Sequence, residues 1–99
     1  MIARDGDRLQ VSGRLTMETV AALHDADLQP GGDGTLVIDM ARVEAVDSAA
    51  VSLLLSWLRR AQRGNVTLSF SNVPDNLLSL ARLYGVAEML PLGDAAVQS

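Results

Sequence analysis

Four side chains in this sequence stand, by type and position together, where they could do chemistry: the carboxylates of Asp39 and Asp47, the hydroxyl of Ser48, and the single imidazole, His24. Asp47-Ser48 lies in the stretch VEAVDSAAVSLLLSWLRRAQR (Val43 to Arg63), between a short apolar strand and a nearly unbroken helical pattern. A hydroxyl placed there meets the first backbone N–H groups of a helix, which have no intrahelical partner and lie at the positive end of the dipole. It can cap the helix, bind an anion or accept a phosphate, and its position does not choose among the three.

Catalysis needs more than one such group. The pattern contains no Gly-rich phosphate loop, no metal-ligand spacing and no histidine placed beside a nucleophile. Asp39 and Asp47 flank a turn without an evident base or electrophile. With no cysteine there is no thiol nucleophile, thiolate metal site or disulfide. The residues therefore imply a binding module, without enzyme activity, cofactor or metal.

Composition narrows the partner. The net charge is −4 and all eight basic residues are arginine, which disfavours the phosphate backbone of nucleic acid. Arg59, Arg60 and Arg63 cluster where a helix C-terminus favours positive charge. No apolar run approaches the roughly 20 residues that span a bilayer. The start, MIARDGDRLQ, is charged where a signal peptide needs an apolar run, so a cytoplasmic location is expected.

The elements follow from periodicity and turn chemistry. Asp5-Gly6-Asp7 predicts a hairpin between strands at 2–4 and 8–12, the second ended by Gly13. Thr16 suits an N-cap, and Met17, Val20, Leu23, His24 and Leu28 share one face of a helix predicted over 16–28. Thr35 to Asp39 reads as a central strand with Asp39 at its C-terminal end, where its carboxylate accepts backbone N–H groups or serves a function. The helix predicted over 48–63 has Val51, Leu54, Leu55 and Leu58 as its core stripe. Leu53, Trp57, Ala50 and Ala61 widen its apolar arc to about 200°, more than one sheet needs. Neighbouring helices or a partner must cover the surplus. A strand at 66–70 and a helix from Pro74, stopped by Gly85, complete the order β-β-α-β-α-β-α, with Tyr84 expected in the core and Val86 in the contact after the stop.

The run VIDMARVEAVDSAAVSLLLSWLRRA resembles the signature of a STAS domain, in which a strand ending in Asp leads through a turn to Asp-Ser or Asp-Thr and a Leu-rich helix. The resemblance covers about residues 7–92. It implies one α/β domain across 1–99, with a small mixed sheet, an N-terminal hairpin, helices mainly on one face and a frayed tail over 93–99. Ala49-Ala50 replaces the family's usual Ser-Gly or Gly-Gly. The ending SLARLYGVAEMLP (Ser79 to Pro91) is similar to that of the cytoplasmic STAS subunits of the Mla phospholipid ABC transporter.

That likeness implies a non-catalytic accessory subunit bound to an MlaF-like ATPase, in a complex with permease and periplasmic lipid-binding subunits that maintains outer-membrane lipid asymmetry. It implies a position peripheral to the inner membrane, without insertion. The other subclass, the anti-sigma factor antagonists, implies phosphorylation at Ser48 by a partner kinase. For either, the expected contact surface is Asp47, Ser48, Ala49, Ala50 and Ser52, flanked by His24, with Arg59 and Arg63 as its rim.

Overall fold

A computed structural model describes residues 2–91. The tail expected over 93–99 lies outside the described residues. The elements run β1 (Ile2–Asp5), β2 (Arg8–Leu15), α1 (Val20–Leu23), β3 (Thr35–Val46), α2 (Ser48–Arg63), β4 (Thr67–Ser71) and α3 (Asp75–Leu83), then a 3₁₀ turn at Ala87–Met89. They form a mixed sheet of order β1-β2-β3-β4, antiparallel between β1 and β2 and parallel thereafter. The mixed α/β architecture is the one the sequence implied.

Alternation decides which sheet face is covered. Leu9 and Val11 of β2, Leu36, Ile38 and Met40 of β3, and Leu68 and Phe70 of β4 are buried in one core. That core is completed by Val51, Leu54, Trp57, Leu58 and Ala61 of α2 and by Leu77 and Ala81 of α3. Leu53 and Trp57 are covered within the chain, and the Trp57 indole N–H donates to Leu23 O at 3.2 Å. Neighbouring structure, then, takes up the surplus of the wide apolar arc.

Both helix ends obey local chemistry. At the end of α3, Gly85 adopts φ +72°. Val86 N–H then reaches Ala81 O at 2.9 Å, and Gly85 N–H reaches Arg82 O at 3.0 Å. This is a Schellman closure, with Val86 packed on the core. The end of α2 closes the same way with Asn65 in the left-handed position (φ +58°), a role asparagine tolerates.

Three expectations need correction. The first helix, expected over 16–28, is one turn, Val20–Leu23. Thr16 is not its cap: the Thr19 hydroxyl accepts from Thr16 N–H and donates to Arg14 O, so a turn delays the helix. Asp25 and Asp27 follow, placing negative charge at the negative end of the dipole. Met17 consequently leaves the buried face and is 76% exposed. Second, β2 passes Gly13 to reach Leu15, because register shifts at Gln10/Ser12 and Gly13/Arg14 keep it paired with β3.

Third, Asp39 does not end its strand, since β3 continues along β2 to Val46. It stands where pairing with β4 stops, opposite Ser71. Its carboxylate accepts Ala41 N–H at 3.0 Å, Asn72 Nδ2 at 3.0 Å and Arg8 Nε at 3.2 Å. Burial works to raise the pKa of this group. The bonds from Asn72, Ala41 and Arg8, with the Arg8 charge, outweigh burial and hold it below the ordinary 3.8. A depressed folded pKa stabilises above the unfolded value, and that contribution is lost as pH falls through the folded one. Asp39→Asn should therefore cost about 1–3 kcal/mol at pH 7. Urea titrations should show the gap to the parent chain closing as pH falls from the ordinary carboxylate range through the lowered folded value, where the parent carboxylate protonates.

Candidate functional site

The Asp47-Ser48 step begins α2, but the roles divide differently from the simplest expectation. Asp47 is the N-cap, in an extended conformation (φ −134°, ψ −169°), and Ser48 is the first helical residue. One carboxylate oxygen of Asp47 accepts Ala49 N–H at 2.8 Å, while the other accepts Met17 N–H at 3.0 Å. The Asp47 N–H itself donates to Leu15 O at 3.2 Å. Asp47 is thus committed to three backbone segments, which frees the Ser48 hydroxyl from capping. Ser48 is exposed.

From this cap the α2 surface forms one wall of a groove of about 950 Å³, and residues 17–25 form the other. Five residues expected at a contact surface line it together: Ser48, Ala49, Ser52, His24 and Arg59. Asp47 lies behind them as the cap. Ala50 is fully buried and faces the core, so it cannot meet a partner directly. Small size at that position serves packing of α2 on the sheet. Arg63 is exposed on α2 but is not part of the groove lining.

The apolar part of the groove comes from residues that sequence reasoning placed elsewhere. Periodicity puts Met17 on a buried helix face, Leu55 in the core stripe and Tyr84 in the core. All three line the groove: Tyr84 is 52% exposed, and Leu55 is half-buried, packing against the core as well. Tyr84 sits at the C-cap of α3, just before the Gly85 turn, and so leaves the buried face. Leu55 carried no separate signal, because its period places it in the core stripe of α2. Met17 carried no signal once α1 was read as long.

Tertiary structure also brings together a histidine and a hydroxyl that lie 32 positions apart. His24 Nε2 and Ser56 Oγ are hydrogen-bonded at 2.8 Å, and His24 Nδ1 lies 3.6 Å from Asp25 Oδ1. The expectation of no histidine beside a nucleophile is corrected on that point. The trio still lacks what acyl transfer needs. Ser56 is in mid-helix, where its backbone N–H belongs to the α-helical ladder, and the Asp25 side chain is 99% exposed. A working triad needs a buried orienting carboxylate and N–H donors aimed at an oxyanion. The pair serves better as a tether between α1 and α2. Among the described residues no cluster of histidine and carboxylates could hold a metal ion. No helix there is long and apolar enough to cross a membrane.

A family model described as "Mlab, STAS domain" matches residues 2–91. The intermembrane phospholipid transport system binding protein MlaB of Escherichia coli K12 is 31% identical over 87 residues, covering 87% of this chain and 89% of that protein. MlaB of Shigella flexneri matches equally. Among solved structures, the anti-sigma factor antagonist SpoIIAA in its unphosphorylated form superposes with a TM-score of 0.65. At 15% identity, covering 99% of this chain and 90% of that one, it shares the fold alone. The chain belongs to the STAS-domain family, and within it to the MlaB type.

The division of labour at the cap is testable. Asp47→Ala removes the acceptor of two backbone N–H groups and should destabilise by about 1–2 kcal/mol. Ser48→Ala should stay within about 0.5 kcal/mol of the parent, as a substitution at an exposed first helical residue whose hydroxyl does not cap the helix. Equilibrium urea unfolding of the two variants measures both.

Proposed function

We propose that this chain is a non-catalytic accessory subunit of a phospholipid-transporting ABC complex. In this reading it docks, as a single domain, on the complex's cytoplasmic ATPase through the groove face of α1 and α2. The observation that carries the reading is its 31% identity, over most of both chains, to proteins named as binding proteins of an intermembrane phospholipid transport system. The groove supplies a suitable surface. Exposed Met17 and Tyr84, with half-buried Leu55, offer apolar contact, and Ser48, Ser52 and His24 offer hydrogen bonds. Arg59 stands at the rim, where a charge affects association rate more than affinity. The wider complex would add a permease and a periplasmic lipid-binding protein, leaving this subunit cytoplasmic and peripheral to the inner membrane. Its work there is to support assembly and activity of the transporter that maintains lipid asymmetry.

A second reading, an anti-sigma factor antagonist switched by phosphorylation, is favoured by one observation: Ser48 presents a hydroxyl that caps nothing. A phosphate there suits the positive helix end and adds roughly −2 charge to the docking face.

Affinity purification of the chain co-expressed with the ATPase and permease subunits of such a transporter tests the first reading. Capture of the ATPase by the parent chain is expected. Ser48→Asp should weaken capture at least about tenfold, through a charge in the interface, while Tm moves by no more than about 2 °C. Retention of a kinase-like anti-sigma factor, with no capture of the ATPase, would favour the second reading. The isolated chain should not hydrolyse activated esters above the buffer rate.

A further inference from the structure

One wall of the groove is built on a helix that cannot hold itself in place. Four residues form a single turn, below the length at which a helix is self-supporting. Leu23 O accepts Ala26 N–H at 3.1 Å, but the carbonyls of the C-cap His24 and of Ala26, in the turn that follows, need partners from elsewhere. They receive them from side chains of α2 within one helical turn. The Arg60 guanidinium donates through Nη1 to His24 O at 2.7 Å and through Nη2 to Ala26 O at 2.9 Å. Trp57 Nε1 donates to Leu23 O at 3.2 Å, and Ser56 Oγ bonds the His24 ring at 2.8 Å.

We infer that Arg60 is the positioning residue of the groove, a C-terminal cap for α1 supplied from α2. Its planar fork reaches two carbonyls at once, which an ammonium cannot do in the same geometry. The positive charge also opposes the negative end of the α1 dipole, where Asp25 and Asp27 otherwise add negative charge. Arg60 does not line the groove; its neighbour Arg59 does. Arg60 therefore sets the separation of the two walls while making no contact inside. Without it, residues 20–26 open as a unit, ahead of the sheet, and the wall carrying Val20, Ala21 and His24 loses its place. The inference rests on the docking reading only for its consequence, because α1 is positioned whether or not a partner binds.

The test is amide hydrogen exchange on the isolated full chain, for the parent, Arg60→Met, Arg60→Lys and Arg59→Met. Arg60→Met keeps the apolar stem and removes both donors. It should speed exchange at residues 20–26 by about tenfold or more relative to β3, as expected when two charge-assisted bonds are lost. Arg60→Lys should fall between, and Arg59→Met should leave these amides unchanged. Trp57 is the single tryptophan and is fully buried, so its emission should shift to the red in Arg60→Met as α1 leaves. Should Arg60→Met fail to fold, the relative exchange in Arg60→Lys carries the same decision. Equal acceleration in α1 and β3, or none in α1, would overturn the inference. Failure of the parent chain to capture an ATPase would count against the docking reading alone.

Discussion

Two hydrogen bonds to one carboxylate hold the groove end of this protein together. Asp47 accepts Ala49 N–H with one oxygen and Met17 N–H with the other, so the start of α2 and the turn that leads to α1 share an anchor. Any other side chain able to cap the helix would satisfy one of those donors. Two acceptor oxygens on a short stem satisfy both, with the negative charge placed where the α2 dipole favours it. The groove between the helices is a consequence. Its depth follows from where Met17 and Ser48 begin, and its width from where Arg60 holds the carbonyls of His24 and Ala26, at and just past the end of α1.

This arrangement explains why an acidic domain with few aromatic residues carries its one tryptophan in α2. Trp57 fills the space under α1, is wholly buried, and spends its single polar group on Leu23 O. A smaller apolar residue there would leave α1 without a floor, and truncating a buried tryptophan costs on the order of 3–5 kcal/mol. On the other side of the sheet the polar cluster of Arg8, Asp39, Ser71 and Asn72 ties β2, β3 and the end of β4 together.

Much of this was legible in the residues. The range of α2 followed from its apolar period, and Gly85 marked the end of α3 because the left-handed turn there favours glycine. The role of Asp39 as an acceptor of backbone N–H was also readable, although its Arg8 and Asn72 partners come from β2 and from the residue after β4. Three features were not legible. The long α1 pattern gave no warning that Thr19 would form a turn and that Asp25 and Asp27 would oppose continuation. Ser48 looked like a cap because serine and aspartate both cap well and sit next to each other; only the backbone geometry assigns the role to Asp47. Met17, Leu55 and Tyr84 read as core by period, and their place on the groove depends on elements meeting from three parts of the chain.

The central claim is that the α1–α2 groove, fixed by Asp47, is the face this STAS domain presents to its partner. Amide exchange of the chain in the presence and absence of the transporter ATPase tests it most directly. The account predicts that protection gained on binding is concentrated at residues 17–25, 48–59 and 84–86. Protection confined to the opposite face of the sheet, around Arg8, Gln10, Ser69 and Ser71, would contradict it.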